Sequence, residues 1–191
     1  MKHVVKPALS LFVVAALSAV SLGVVHEFMS GPIAENQRRT RERMLGEVLP
    51  AADEFVESDR EAPQASDPRV RIARVFEGLR GGQRVGYAVE IVTGAGYGGE
   101  IALMVGVSSE TGAISGMRVL RHSETPGFGA VITRESFFRR FEGLALAPLV
   151  VVSRAPAAAN EFQAIASSTI TTRAIVDAVN EAIEWYNRSG R

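Results

Sequence analysis

The feature that most constrains this chain lies near its start. Residues 7–25 carry no charge, and Leu9, Leu11, Phe12, Val13, Val14, Leu17, Val20, Leu22, Val24 and Val25 dominate the run. At the rise of a helix these residues span roughly 28 Å, close to the hydrocarbon thickness of a bilayer. The segment therefore reads as a single membrane helix, assigned to residues 7–29, and contributes nothing to a soluble core. A cleaved signal would have a shorter apolar region and a small-residue cleavage site. Ala16-Leu17-Ser18 lies too deep in the run to serve, so a retained anchor is expected. Lys2 and Lys6 precede the helix, while Arg38, Arg39, Arg41 and Arg43 follow it beyond Gly31-Pro32, interleaved with Glu35 and Glu42. A large folded domain is translocated despite such charges, which favours residues 1–6 in the cytoplasm and the rest outside.

What remains of the 191 residues suits one domain, and the 47% hydrophobic content supplies a core for it. The 21 basic and 21 acidic residues cancel, so no net field draws nucleic acid. The chain has no cysteine, which excludes disulfides, thiolate-held iron–sulfur clusters, Cys-based zinc and a cysteine nucleophile. Redox chemistry would need a different cofactor. The three histidines, His3, His26 and His122, have no metal-ligand spacing. No G-x-S-x-G elbow is present, Glu124 alone makes no acid–base pair, and no catalytic residue is assigned.

After the anchor, residues 33–49 read as a mostly polar stalk helix stopped by Pro50, and residues 54–67 as a charged, Ala/Pro-rich linker. The stalk and linker together take residues 30–66, and the compact domain residues 67–191. Within it Val70 and Ile72 alternate with arginines, a turn at residues 78–82 follows, and Val85, Tyr87, Val89 and Ile91 alternate in a paired strand. Residues 101–107 and 114–120 continue the antiparallel run around a Glu110-Thr111-Gly112 turn. A helix from Thr133 would carry Phe137, Phe138 and Phe141, residues 149–152 would return as a strand, and residues 173–186 form an amphipathic helix. The expected class is α+β, a mainly antiparallel sheet flanked by helices.

Three segments admit both a structural and a ligand-binding reading. In Glu124-Thr125-Pro126-Gly127-Phe128-Gly129 the Pro-Gly pair suits a type II turn. Equally, Gly127 and Gly129 would let backbone approach a planar ligand, with Glu124 and Thr125 offering polar contacts. Gly96-Tyr97-Gly98-Gly99 is either a flexible connection or another close approach. Ala166-Ser167-Ser168-Thr169-Ile170-Thr171-Thr172 stands before the last helix. There Thr171 or Thr172 would cap the helix while Ser167 and Ser168 make local turns, or the helix mouth would hold a phosphate.

In their order along the chain these features resemble the G subunit of the Rnf electron-transport complex and its relative, the C subunit of the sodium-translocating NADH:quinone reductase. The likeness covers nearly the whole length: the membrane helix, the stalk ending Glu47-Val48-Leu49-Pro50, Gly96-Tyr97-Gly98-Gly99, the Gly112 turn, Glu124-Thr125-Pro126-Gly127-Phe128-Gly129 and the threonine segment. The resemblance implies a periplasmic FMN-binding domain on the bacterial inner membrane, with FMN joined through its phosphate to a threonine by a flavin transferase. The family's pattern, Asp-x-x-Ser/Thr-Gly-Ala-Thr-x-Thr, puts that threonine at Thr169 and the next at Thr171. Gln163 stands in place of its Asp, and Ala166, Ser167 and Ser168 in place of Ser/Thr, Gly and Ala. It further implies that Tyr97, Gly98, Glu124, Thr125, Gly127 and Gly129 border the flavin ring, with Ser167, Ser168, Thr171 and Thr172 around the tether and Arg173 near the phosphate. The implied role is an electron relay, a redox part of an ion-translocating oxidoreductase among membrane, iron–sulfur and flavin subunits. The alternatives are the quinone-reductase relative, or a flavin-free member that serves assembly only. One membrane helix without an intramembrane acid forms no ion path by itself.

Overall fold

The computed structural model describes residues 2–58 and 65–190; within its first helix the side chains of residues 2–7, 10, 26, 27, 30, 32–34 and 37 are outside the described set. The side chains of Lys2, His3, Lys6 and His26, and residues 59–64 of the expected linker, thus fall outside the described residues. The chain divides into two compact units, Met1–Arg41 and Glu42–Arg191.

The first unit is the greater part of α1 (Lys2–Val48). The sequence assigns residues 7–29 to the membrane helix and 30–66 to stalk and linker, yet the backbone stays helical through Gly31-Pro32. Proline in a helix removes one hydrogen bond and crowds the preceding turn. Beyond it, pairs one turn apart, Glu35 with Arg38 and Arg39, and Arg43 with Glu47, each give the helix modest support. Among the described residues no helix is long and apolar enough to cross a membrane. The uninterrupted described part of the apolar run, residues 11–25, covers roughly 22 Å of the about 30 Å needed.

The second unit is built on a five-stranded antiparallel meander, β1 (Glu54–Glu57), β2 (Val70–Arg80), β3 (Gln83–Thr93), β4 (Ile101–Ser108) and β5 (Ala113–His122), hydrogen-bonded in that order. The β2–β3 hairpin turns on Gly81 and Gly82, at φ +56° and +77°, the mirror-image turn whose twist matches paired strands. β1 falls in the segment expected as linker. Its four residues pair with Phe76–Leu79 of β2, an edge position that asks little of the sequence.

Strand alternation sorts the core. Tyr87, Val89 and Ile91 of β3 and Ile101, Leu103, Val105 and Val107 of β4 face α3 (Thr169–Trp185), which supplies Ile175, Val176, Val179, Ile183 and Trp185. Ala88 and Met104 point to the other face, where Leu45, Val48 and Leu49 at the end of α1 cover them. Every residue of β4 is therefore buried. The last turn of α1 lies so close to the sheet that a Cβ on Gly106 would overlap the Val48 carbonyl, and Ser115 Oγ donates to that carbonyl at 2.6 Å. Arg118 packs over Phe138 at 3.8 Å and donates to Glu47 at 2.9 Å.

The phenylalanine segment is not one helix. A 3-10 turn (Gly129–Thr133), a single α turn α2 (Glu135–Phe138) and a second 3-10 turn (Arg139–Phe141) replace it, and Arg134, whose ψ of 145° is extended, breaks the run between the first two. Phe137 and Phe141 nevertheless meet Phe162, the latter stacked at 4.3 Å. Phe162 lies on β7 (Glu161–Gln163), which the sequence pattern does not reveal; it pairs in parallel with β6 (Val150–Val152). Asn180 of α3 clasps both the N–H and the carbonyl of Leu149, at 2.8 and 3.0 Å.

Candidate functional site

The β4–β5 register pairs Ile101 with His122, so the loop entering β4 and the loop leaving β5 rise side by side from one end of the sheet. Glu124 joins them. Its Oε1 accepts the Gly98 N–H at 3.0 Å, and its own N–H donates to His122 Nδ1 at 3.1 Å. The carboxyl is buried and glycines surround it. A Cβ on Gly96 would come within 2.8 Å of Oε1, and one on Gly129 would overlap Oε2. Backbone proximity, rather than loop flexibility, is what these glycines provide.

The expected type II turn is present. Gly127 has φ +82°, and the Phe128 N–H donates across the turn to the Thr125 carbonyl at 3.2 Å. It throws Phe128 outward and returns the chain under Glu124 at Gly129.

The third segment arrives with α3. The helix starts at Thr169, earlier than the periodicity of residues 173–186 indicates, and its N-cap is Ser168. Thr171 and Thr172 accordingly lie inside the first turn and do not cap it. Thr171 Oγ1 donates to Glu124 Oε2 at 3.0 Å, tying the helix mouth to the glycine loops. Thr172 Oγ1 donates to the Ser168 carbonyl and accepts the Ile165 N–H. Ser167 has φ +66°, the left-handed region that costs a side chain about 1–2 kcal/mol. This is the position where the resembled pattern has glycine. The Ser168 Oγ is buried without a partner, and leaving such a group unmade costs about 1–3 kcal/mol.

Together these segments enclose a cavity of about 560 Å³ lined by Tyr97, Glu124, Thr125, Phe128, Gly129 and residues 167–171. That volume lies within the range of about 300–1,000 Å³ typical of small-ligand sites. Tyr97, Phe128 and Ile170, at 74%, 57% and 56% exposure, give the cavity an apolar rim. Of the residues expected around a ligand, Gly98, Gly127 and Thr172 do not line it; they position Glu124, the turn and the helix start. Phe128 and Ile170 line it as well, and the sequence signal for Phe128 is an aromatic between two glycines.

Thr169 also borders a second, smaller cavity of about 250 Å³, with Arg69, Ala95, Ile170, Arg173, Ala174 and Asp177. Burial, and then the nearby Asp67 charge, raise the pKa of Asp177, against the pull of Arg173 and Arg69. Thr169 is exposed, and no backbone acceptor among the described residues takes the N–H of Thr169, Ile170 or Thr171. Such free donors at the positive end of a helix suit an anion. No cluster of metal-ligating side chains occurs among the described residues.

Residues 96–184 match the FMN-binding domain family, a span that holds all three segments. The G subunit of the Na(+)-translocating ferredoxin:NAD(+) oxidoreductase complex of Acetobacterium woodii is 32% identical over 97% of this chain and 92% of its own length. The G subunit of the ion-translocating oxidoreductase complex of Stutzerimonas stutzeri is 36% identical over 95% and 80%. Among solved structures, the C subunit of the Na(+)-translocating NADH-quinone reductase of Parabacteroides distasonis superposes with a TM-score of 0.51 at 25% identity, covering 60% of this chain and 61% of that one. NqrC of Shewanella oneidensis shares the fold with a TM-score of 0.50 at 20% identity, over 68% and 74% of the two chains.

Proposed function

The chain belongs to the family of G subunits of ion-translocating oxidoreductase complexes, and from that membership we propose that it is the flavin-carrying electron relay of such a complex, with FMN joined through its phosphate to Thr169. The observation that carries this reading is the position of Thr169, an exposed hydroxyl on the first turn of α3 that borders both cavities. The larger cavity offers an apolar rim for a flat ring. The smaller one is bordered by Arg173, which would face a phosphodiester charge there, and by Arg69, whose guanidinium is paired with Asp67. The residues fit FMN on a second count, because the unpartnered Ser168 hydroxyl and the free N–H groups of the helix mouth are donors awaiting an acceptor.

Bound FMN supplies the electron transfer. The protein's part is to hold it, exclude water from one side and leave an edge open to partners. Glu124 and Thr171 lock the helix mouth to the glycine loops, so the walls keep one shape. Tyr97, Phe128 and Ile170 leave the mouth apolar and accessible. Thr169 Oγ1 would be the oxygen that holds the flavin phosphate, its hydroxyl proton exchanged for the phosphate link under a flavin transferase. We place residues 7–29 across the bacterial inner membrane with the second unit in the periplasm, among the other membrane, iron–sulfur and flavin subunits. The charge-free run and the family relationship support this.

The test is flavin fluorescence of the denatured protein in a gel, after co-expression with a flavin transferase. A fluorescent wild-type band that is dark in Thr169→Ala is expected. A dark wild-type band would leave a flavin-free assembly role as the better reading. Fluorescence surviving in Thr169→Ala would move the link to another exposed hydroxyl at the cavity, Ser167 or Thr125, because Thr171 is buried and committed to Glu124.

A further inference from the structure

Ser168 is an N-cap residue that does not cap. It sits at φ −140° and ψ 36° with no side-chain bond to the helix it precedes. The residue is 6% exposed, and its Oγ has no hydrogen-bond partner. A serine in this place ordinarily accepts from the second or third helical N–H. Here that exchange is forgone: among the described residues the hydroxyl has no partner, and the N–H groups of Thr169, Ile170 and Thr171 have no backbone acceptor.

Three other hydroxyls of the segment are engaged. Thr171 gives its proton to Glu124, Thr172 to the Ser168 carbonyl, and Ser167 to the carbonyl of Ala166. Ser168 lines the 560 Å³ cavity beside Thr169, at the positive end of a helix of 17 residues. Rotation of χ1 between staggered positions changes the direction of the hydroxyl without moving the backbone. Several donors with no acceptor, gathered at one helix mouth, define the missing partner as an anion with several acceptor oxygens.

Resting on the flavin reading above, we infer that the Ser168 hydroxyl donates to the phosphate of the ligand and makes the cavity select a phosphorylated flavin over the unphosphorylated one. The resembled pattern has alanine here, so this contact is this chain's own addition. It forms alongside the helix N–H groups, before and after any covalent bond to Thr169.

The experiment uses the full-length chain in detergent with Thr169→Ala, so that no covalent link intervenes, with and without Ser168→Ala. FMN and riboflavin are titrated separately by flavin fluorescence. Ser168→Ala should weaken FMN roughly tenfold, as loss of a hydrogen bond to a charged group does, and riboflavin by less than about twofold. The flavin-free protein should melt at the same or a higher temperature with Ser168→Ala, since a buried hydroxyl without a partner has been removed. Equal weakening of both flavins, or none for FMN, overturns the phosphate contact. A lower melting temperature of the flavin-free variant also overturns it, since the hydroxyl would then be serving the fold. Absence of any FMN binding to Thr169→Ala at millimolar concentration means there is no preformed phosphate site and removes the inference, while the gel experiment judges the covalent link separately.

Discussion

Among single residues, the hydroxyl-rich segment before α3 is a set of unlike positions. Thr172 secures the helix start, Thr171 ties it to Glu124, Thr169 stands open, and Ser167 carries the backbone strain. This division was only partly legible. The attachment position proposed above follows from spacing against the family's pattern, but which hydroxyls are already engaged depends in part on Glu124, 47 residues from Thr171. The strain at Ser167 is testable. At φ +66°, Ser167→Gly exchanges left-handed strain for glycine's extra chain entropy, a net stabilisation of about 0.5–1 kcal/mol in the flavin-free protein. Urea unfolding measures it, and a lower midpoint for the glycine variant would contradict the strain account.

Elements show where periodicity succeeds and where it stops. β2 and β3 announce themselves by alternation, and β4 by a continuous apolar run, because α3 covers one of its faces and the end of α1 the other. β1 and β7 do not, since short strands carry too few residues for a period to register. β7 is held in part by charge. Glu161 accepts from the Arg154 guanidinium at 2.6 and 2.8 Å and from the Ala157 N–H at 2.7 Å. The Arg154 bonds and then the Ala157 N–H lower its carboxyl pKa from 4.5 to about 2. A carboxyl whose folded pKa is depressed adds stability that is complete above its unfolded value and fades as pH falls toward the folded one. The stability lost in Glu161→Gln should therefore be largest above pH 4.5 and shrink toward pH 2. Denaturant unfolding across that range checks it, and a difference independent of pH would reject this origin.

For the whole molecule, the boundary of the compact unit lies at Glu42, well before the residue 67 that composition suggests. The end of α1 looks like a stalk because its sequence is polar until Met44, yet Leu45, Val48 and Leu49 are buried against the sheet. Removing them forfeits about 1.5–3 kcal/mol each, comparable in sum to the about 5–15 kcal/mol that holds a domain folded. A fragment of residues 42–191 should melt cooperatively by circular dichroism, and one of residues 67–191 should not. Equal melting of both would mean that the helix end only rests on the sheet. The charge-free run, the middle strands of the meander, the Pro-Gly turn and the family were all readable along the chain, because they depend on near neighbours and on fixed spacings. That Gly98, Glu124 and Thr171 meet, that Ser168 is left without a partner, and that Phe128 and Ile170 rim the cavity emerged only on folding. Those outcomes depend on sheet register and on which buried polar groups can be paired at once, and neither is written in any single stretch of chain.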